Sequence, residues 1–154
     1  MLPRAFTLAT VTTILSLTDF SVCQSQNTWL IRSATGDQPY VRSNGISEPL
    51  TLAVDLSGNT SWDVHGTGPQ SVVIRSLSEG GYAASKGPGK SVVEGERTET
   101  ITFWNLTSLG RQHFKISHHE NQFVGYWTIR EGSDEIFLSP EGEGSQEWIL
   151  SQLD

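Results

Sequence analysis

Residues 100–110 read TITFWNLTSLG. Within them Trp104-Asn105-Leu106 sets a large aromatic and an aliphatic two positions apart, with a polar residue between. Alternation of period two is the mark of a half-buried strand, because successive side chains leave the backbone on opposite faces. The same triplet occurs twice more, as Trp62-Asp63-Val64 and Trp148-Ile149-Leu150. The three tryptophans recur at a spacing of about 43 residues, so the chain is read first as a repeat.

Working outward from each triplet, three further landmarks recur in order and at nearly the same interval. Ile31, Ile74 and Ile116 open the copies, within WLIRS, VVIRS and FKISH. An aromatic follows, taken as Tyr40, Tyr82 and Phe123. Next come the apolar runs PLTLAV (49–54), SVVEG (91–95) and EIFLS (135–139). From aromatic to closing tryptophan the separation is identical in the first two copies and slightly longer in the third, which therefore reads as carrying a small insertion. Turn formers such as TGDQP, SNGISEP, SEGG, KGPGK, EGSD and PEGEGS separate the runs. No mature segment carries the apolar period of a helix. The expectation is an all-β chain of three quasi-equivalent units, each of four short strands, over about residues 28–66, 70–110 and 111–153. Units of this length could be propeller blades, but three blades are too few to close one.

Three four-strand units that each close on a tryptophan triplet resemble the β-trefoil fold, and within it the ricin-B-like lectins, whose repeats carry a Gln-x-Trp motif. Gln146-Glu147-Trp148 matches that motif, while Thr60-Ser61-Trp62 and Thr102-Phe103-Trp104 keep only its tryptophan. The resemblance covers about residues 28–153. It implies a six-stranded barrel capped by three hairpins with pseudo-threefold symmetry. The chain is also similar to small fungal β-trefoils, some of which bind glycans while others inhibit proteases. The early Asp and the Asn before Gln-x-Trp, with which a lectin repeat grips sugar, do not line up in any copy.

Composition narrows the function classes. With 154 residues the chain is one domain, and its net charge of −7 opposes sequence-independent binding to nucleic acid or to an anionic membrane surface. The N-terminus, MLPRAFTLATVTTILSLTDFSVCQSQ, has a basic residue at Arg4, an apolar stretch to Leu17 and small residues before Gln24. It reads as a secretory signal peptide over residues 1–23, leaving residues 24–154 as a secreted domain without membrane insertion. Cleavage there removes Cys23, the single cysteine, so the mature protein is expected to stand without disulfides. Asn59-Thr60-Ser61 and Asn105-Leu106-Thr107 are N-glycosylation acceptor triplets, which in a secreted chain makes it a candidate glycoprotein.

The candidate binding residues lie where the copies differ. HHENQFVGYWTIREGSD (118–134) has two adjacent aromatics, Tyr126 and Trp127, with no aromatic counterpart in the other copies. Neighbours on a strand face opposite ways, so at least one is expected on the surface. An exposed aromatic face suits the C–H face of a sugar ring, with Asn121, His119 and Asp134 as polar contacts. The closing tryptophans, by their matched spacing, read as core. A rival reading is inhibition of a secreted protease by an exposed loop, through Arg42, Ser43 and Asn44 or through Lys86 and Lys90, where a basic residue precedes serine. His113, His118 and His119 lack the spacing of a metal site, and no cofactor motif occurs. No nucleophile elbow, zinc-protease helix or phosphate loop is present, so the expected partner is a glycan or glycoprotein bound without catalysis.

Overall fold

A computed structural model describes residues 27–66 and 68–153. The signal-peptide expectation and Cys23 lie outside the described residues. Each copy folds into four strands. The first contains β1 (Thr28–Ser33), β2 (Tyr40–Arg42), β3 (Thr51–Ala53) and β4 (Ser61–Gly66). The second contains β5 (Val72–Ser76), β6 (Tyr82–Ala84), β7 (Val93–Gly95) and β8 (Asn105–Gly110). The third contains β9 (His113–Glu120), β10 (Phe123–Ile129), β11 (Ile136–Ser139) and β12 (Trp148–Leu153). Among the described residues the sole helical element is one 3-10 turn, Gly58–Thr60, and no helix is long and apolar enough to cross a membrane.

Six strands close a barrel. The ladders run β1 to β4, β4 to β5, β8 to β9, β9 to β12 and β12 back to β1, all antiparallel. The remaining seam joins Val72 to Trp104, whose backbones exchange hydrogen bonds of 2.9 and 2.8 Å. Closure removes the free edges that an open sheet would present to other chains. Three hairpins, β2–β3, β6–β7 and β10–β11, cap one end.

The cap is joined by rings of backbone hydrogen bonds, which helps explain how three dissimilar sequences can form it. Leu50 donates its N–H to Val92 O at 2.8 Å, Val92 to Ile136 O at 2.7 Å, and Ile136 to Leu50 O at 3.0 Å. A second ring follows, from Leu52 to Asp134 O (2.8 Å), Leu138 to Lys90 O (2.9 Å) and Glu94 to Glu48 O (3.1 Å). Each closing tryptophan is fully buried and donates its indole N–H to a carbonyl on the second strand of its own copy. Trp62 bonds Val41 O at 3.0 Å, Trp104 bonds Ala83 O at 2.9 Å, and Trp148 bonds Trp127 O at 3.0 Å.

That pattern corrects the register read from the third copy. Val41, Ala83 and Trp127 are equivalent positions, so the aromatic that follows Tyr40 and Tyr82 is Tyr126, not Phe123. Tyr126 stands as far before Trp148 as Tyr40 does before Trp62 and Tyr82 before Trp104. The extra length lies earlier, between Ile116 and Tyr126, where β9 and β10 are drawn out into long strands. Trp127 is therefore a core residue at zero exposure, not a surface aromatic. It fills the space that Ala83 leaves at the equivalent position. Its ring meets Trp104 edge-on at 5.3 Å and Trp148 at 5.8 Å, within the preferred range for aromatic pairs.

Candidate functional site

In the first copy the end of the β2–β3 hairpin and the loop after it form an open pocket of about 460 Å³. It is lined by Arg42, Leu52, Ala53, Val54, Asp55 and Ser57. That is within the size range of small-molecule sites. Alternation along β2 creates one wall: Val41 points into the core, so Arg42 points out. The guanidinium is held in place, its Nε donating to Asn44 Oδ1 at 3.1 Å and its Nη2 to Thr51 Oγ1 at 3.3 Å. Asn44 is itself tied by its amide to Pro49 O at 2.8 Å and to Thr51 Oγ1 at 2.9 Å.

The opposite wall is the loop from Val54 to Ser57, which the 3-10 turn anchors. Thr60 Oγ1 donates to Ser57 O at 2.7 Å and accepts the Ser57 N–H at 3.3 Å. Val54 stands 73% exposed, far beyond what core packing would leave, and with Leu52 and Ala53 it gives the pocket an apolar side. Asp55 is exposed and makes no ion pair among the described residues. An oriented donor, a free carboxylate and a hydroxyl around apolar walls can bind a polyhydroxylated ring, without the aromatic platform expected from sequence.

The residues singled out in the third copy do not assemble. Tyr126 is half-buried, and the Lys115 ammonium lies over one face of its ring, 5.5 Å from the centroid. His119 and Asn121 are exposed at the β9–β10 turn, Asn121 with φ at 55°. Asp134 is exposed beyond the opposite end of β10, a strand of about 20 Å at the usual rise. Its carbonyl belongs to the cap.

The first inhibitory loop is corrected in the same way. Ser43 is fully buried, its N–H bonded to Asn59 O at 2.9 Å and its hydroxyl to Glu94. A protease could not reach the Arg42–Ser43 bond. The Lys86–Lys90 turn remains at the surface, with Lys86 paired to Glu99 at 3.2 Å. Of the histidines, His113 pairs with Glu147, and His118 bonds Phe103 O at 3.0 Å while meeting Trp104 edge-on. No group of three metal-ligating side chains occurs among the described residues. Asn59 lies on the exposed turn, and Asn105 is half-buried at the start of β8.

No family model matches the chain, and no curated protein matches it. Solved structures do. The Macrolepiota procera ricin B-like lectin, in complex with lactose, superposes with a TM-score of 0.64 at 17% identity, covering 84% of this chain and 97% of its own. SeviL, bound to asialo-GM1 saccharide, gives 0.64 at 14% identity, covering 84% and 100%. The designed threefold-symmetric ThreeFoil gives 0.63 at 16% identity, covering 82% and 99%. The chain has the β-trefoil fold.

Proposed function

We propose that the protein is a secreted, non-enzymatic carbohydrate-binding protein whose glycan sits in the first-copy pocket between Arg42 and Asp55. One observation carries this reading: the pocket sets a fixed guanidinium and an unpaired carboxylate beside Ala53 and the exposed Val54. Sugar sites pair hydroxyl-directed polar groups with an apolar wall for the C–H face, and the pocket has both. The solved lectins of the same fold lend it support at the level of architecture, while function is carried by the site. Secretion rests on the N-terminal pattern, and the Asn59 and Asn105 triplets would then be glycan acceptors.

The test is a glycan array probed with the wild-type chain, Asp55→Ala and Arg42→Gln, alongside titrations against trypsin-, subtilisin- and papain-like proteases. Wild type is expected to bind a defined set of glycans, and each variant to lose at least tenfold in affinity with its melting temperature held within about two degrees. Stoichiometric protease inhibition with an empty array would overturn the proposal in favour of the Lys86–Lys90 loop.

A further inference from the structure

The second copy contains two arginines that converge where the first copy has one. Arg32 and Arg75 are equivalent residues of the two IRS segments, and each pairs across its ladder with a tyrosine, Tyr40 or Tyr82. In the first copy Arg32 donates from Nη1 to Gln38 Oε1 at 3.3 Å and lies over the Tyr40 ring. The equivalent of Gln38 in the second copy is Gly80, and both adopt positive φ, 52° and 76°. Arg75 therefore faces a position with no side-chain acceptor.

A second cation enters the space instead. Arg97, on the exposed loop after β7, donates from Nε to Gly80 O at 3.0 Å, which aims its Nη nitrogens across the turn. A Cβ placed on Gly80 would lie 2.9 Å from Arg97 Nη2 and 3.6 Å from Arg75 Nη2. The two guanidinium groups thus flank one point in space. Neither forms an ion pair with a carboxylate among the described residues. The Nε of Arg75 is buried without a hydrogen-bond partner, as is that of Arg32 in the first copy, so what sets the second copy apart is the missing side-chain acceptor and the added Arg97. The acid facing Arg75 across the ladder, Asp63, is engaged by His65 Nδ1 at 3.0 Å. On the neighbouring loops, Glu99 pairs with Lys86 and Glu96 accepts from Thr98.

Two like charges held together without a counterion repel, in a protein whose net charge of −7 offers many carboxylates to relieve them. From this we infer that Arg75, Arg97 and the Gly80 turn form a binding site for a single oxyanion, the carboxylate or sulfate group of an acidic saccharide. Guanidinium pairs suit planar or tetrahedral oxyanions because each presents parallel N–H donors. The acids adjacent in sequence, Glu79, Glu96 and Glu99, disfavour a polyanion such as nucleic acid and favour a ligand with one charged group. The site is separate from the Arg42–Asp55 pocket and does not depend on its function.

The experiment measures sulfate binding by calorimetry at constant ionic strength, with chloride as the balancing salt, on wild type, Arg97→Gln and Arg75→Gln. It then compares 3′-sialyllactose and 6-sulfogalactose with lactose and galactose. Wild type is expected to bind sulfate saturably, and Arg97→Gln to weaken it at least tenfold with an unchanged melting temperature, since Arg97 is exposed. The acidic sugars should bind more tightly than their neutral parents, and Arg97→Gln should erase that difference. Sulfate binding that survives in Arg97→Gln, or that is absent from wild type, would overturn the site. Sulfate binding lost in the variant, but without preference for the acidic sugars, would overturn the saccharide assignment and leave a free-oxyanion site. Asp55→Ala is expected to leave sulfate binding unchanged, which separates this site from the proposed glycan pocket.

Discussion

At the scale of single residues, the departures from threefold symmetry are informative. Leu52, Glu94 and Leu138 are equivalent, so the second copy buries a carboxylate where the others place leucine. Glu94 is fully inaccessible, accepting hydrogen bonds from Ser43 Oγ and from Gly81 N at 2.9 Å. Replacing it by alanine strands both donors in the interior. The expected loss is about 2–4 kcal/mol, measured by urea denaturation, since a buried unsatisfied donor costs ~1–3 kcal/mol. A variant as stable as wild type would show that the carboxylate contributes nothing net. Trp127→Ala is expected to cost about 3–5 kcal/mol, because it empties the core between Trp104 and Trp148. Near-UV circular dichroism and thermal melting distinguish that outcome from loss of a surface contact.

At the scale of elements, glycine marks where the strands of a hairpin press closely together. A Cβ on Gly125 would lie 2.3 Å from Leu138 Cγ and 2.6 Å from Phe123 Cε1. The equivalent Gly81 would meet Glu94 and Ile46. Gly125→Ala is expected to destabilise by about 1–3 kcal/mol through overpacking, seen as a lower urea midpoint with an unchanged slope. The long β9–β10 hairpin explains a misreading as well. Phe123 and Tyr126 both lie on β10, and either continues the approximate repeat spacing from Tyr82. The constant separation from the closing tryptophan selects Tyr126. That signal was legible in the sequence. The candidate-pocket loop from Val54 to Ser57 was not, because it carries no aromatic and none of the usual sugar-binding residues in register. Its concavity arises from how the 3-10 turn folds it back toward Arg42.

At the scale of the whole molecule, stability rests on closure. Two rings of backbone hydrogen bonds tie all three copies together at the cap, and the barrel ladders with the Val72–Trp104 seam join them around the circumference. No copy can satisfy these groups alone. The amides of Leu50, Val92 and Ile136 should therefore exchange only through global unfolding, with protection equal to the unfolding free energy. Faster exchange of one of the three than the others, read by hydrogen-exchange mass spectrometry, would mean that its copy opens independently. Most contacts that define the barrel join residues distant in sequence, so folding is expected to be slow for a chain of this size.

The repeat, the strand content and the burial of the closing tryptophans were determined by sequence alone, because they follow from spacing and period, which are local properties. Trp62, Trp104 and Trp148 could be assigned to the core on those grounds. Tertiary structure decided which residues share a surface. His119 and Asp134 fall in one short stretch of sequence yet lie at opposite ends of a strand. Arg42 and Asp55 are separated along the chain by a hairpin turn and all of β3, yet flank one pocket. Arg75, on β5, and Arg97 meet over Gly80 only because the loop after β7 folds onto the β5–β6 turn. The physical reason is that a strand separates its ends by its full length, whereas hairpins and turns return distant residues to each other. Both proposed sites therefore lie where the chain turns back.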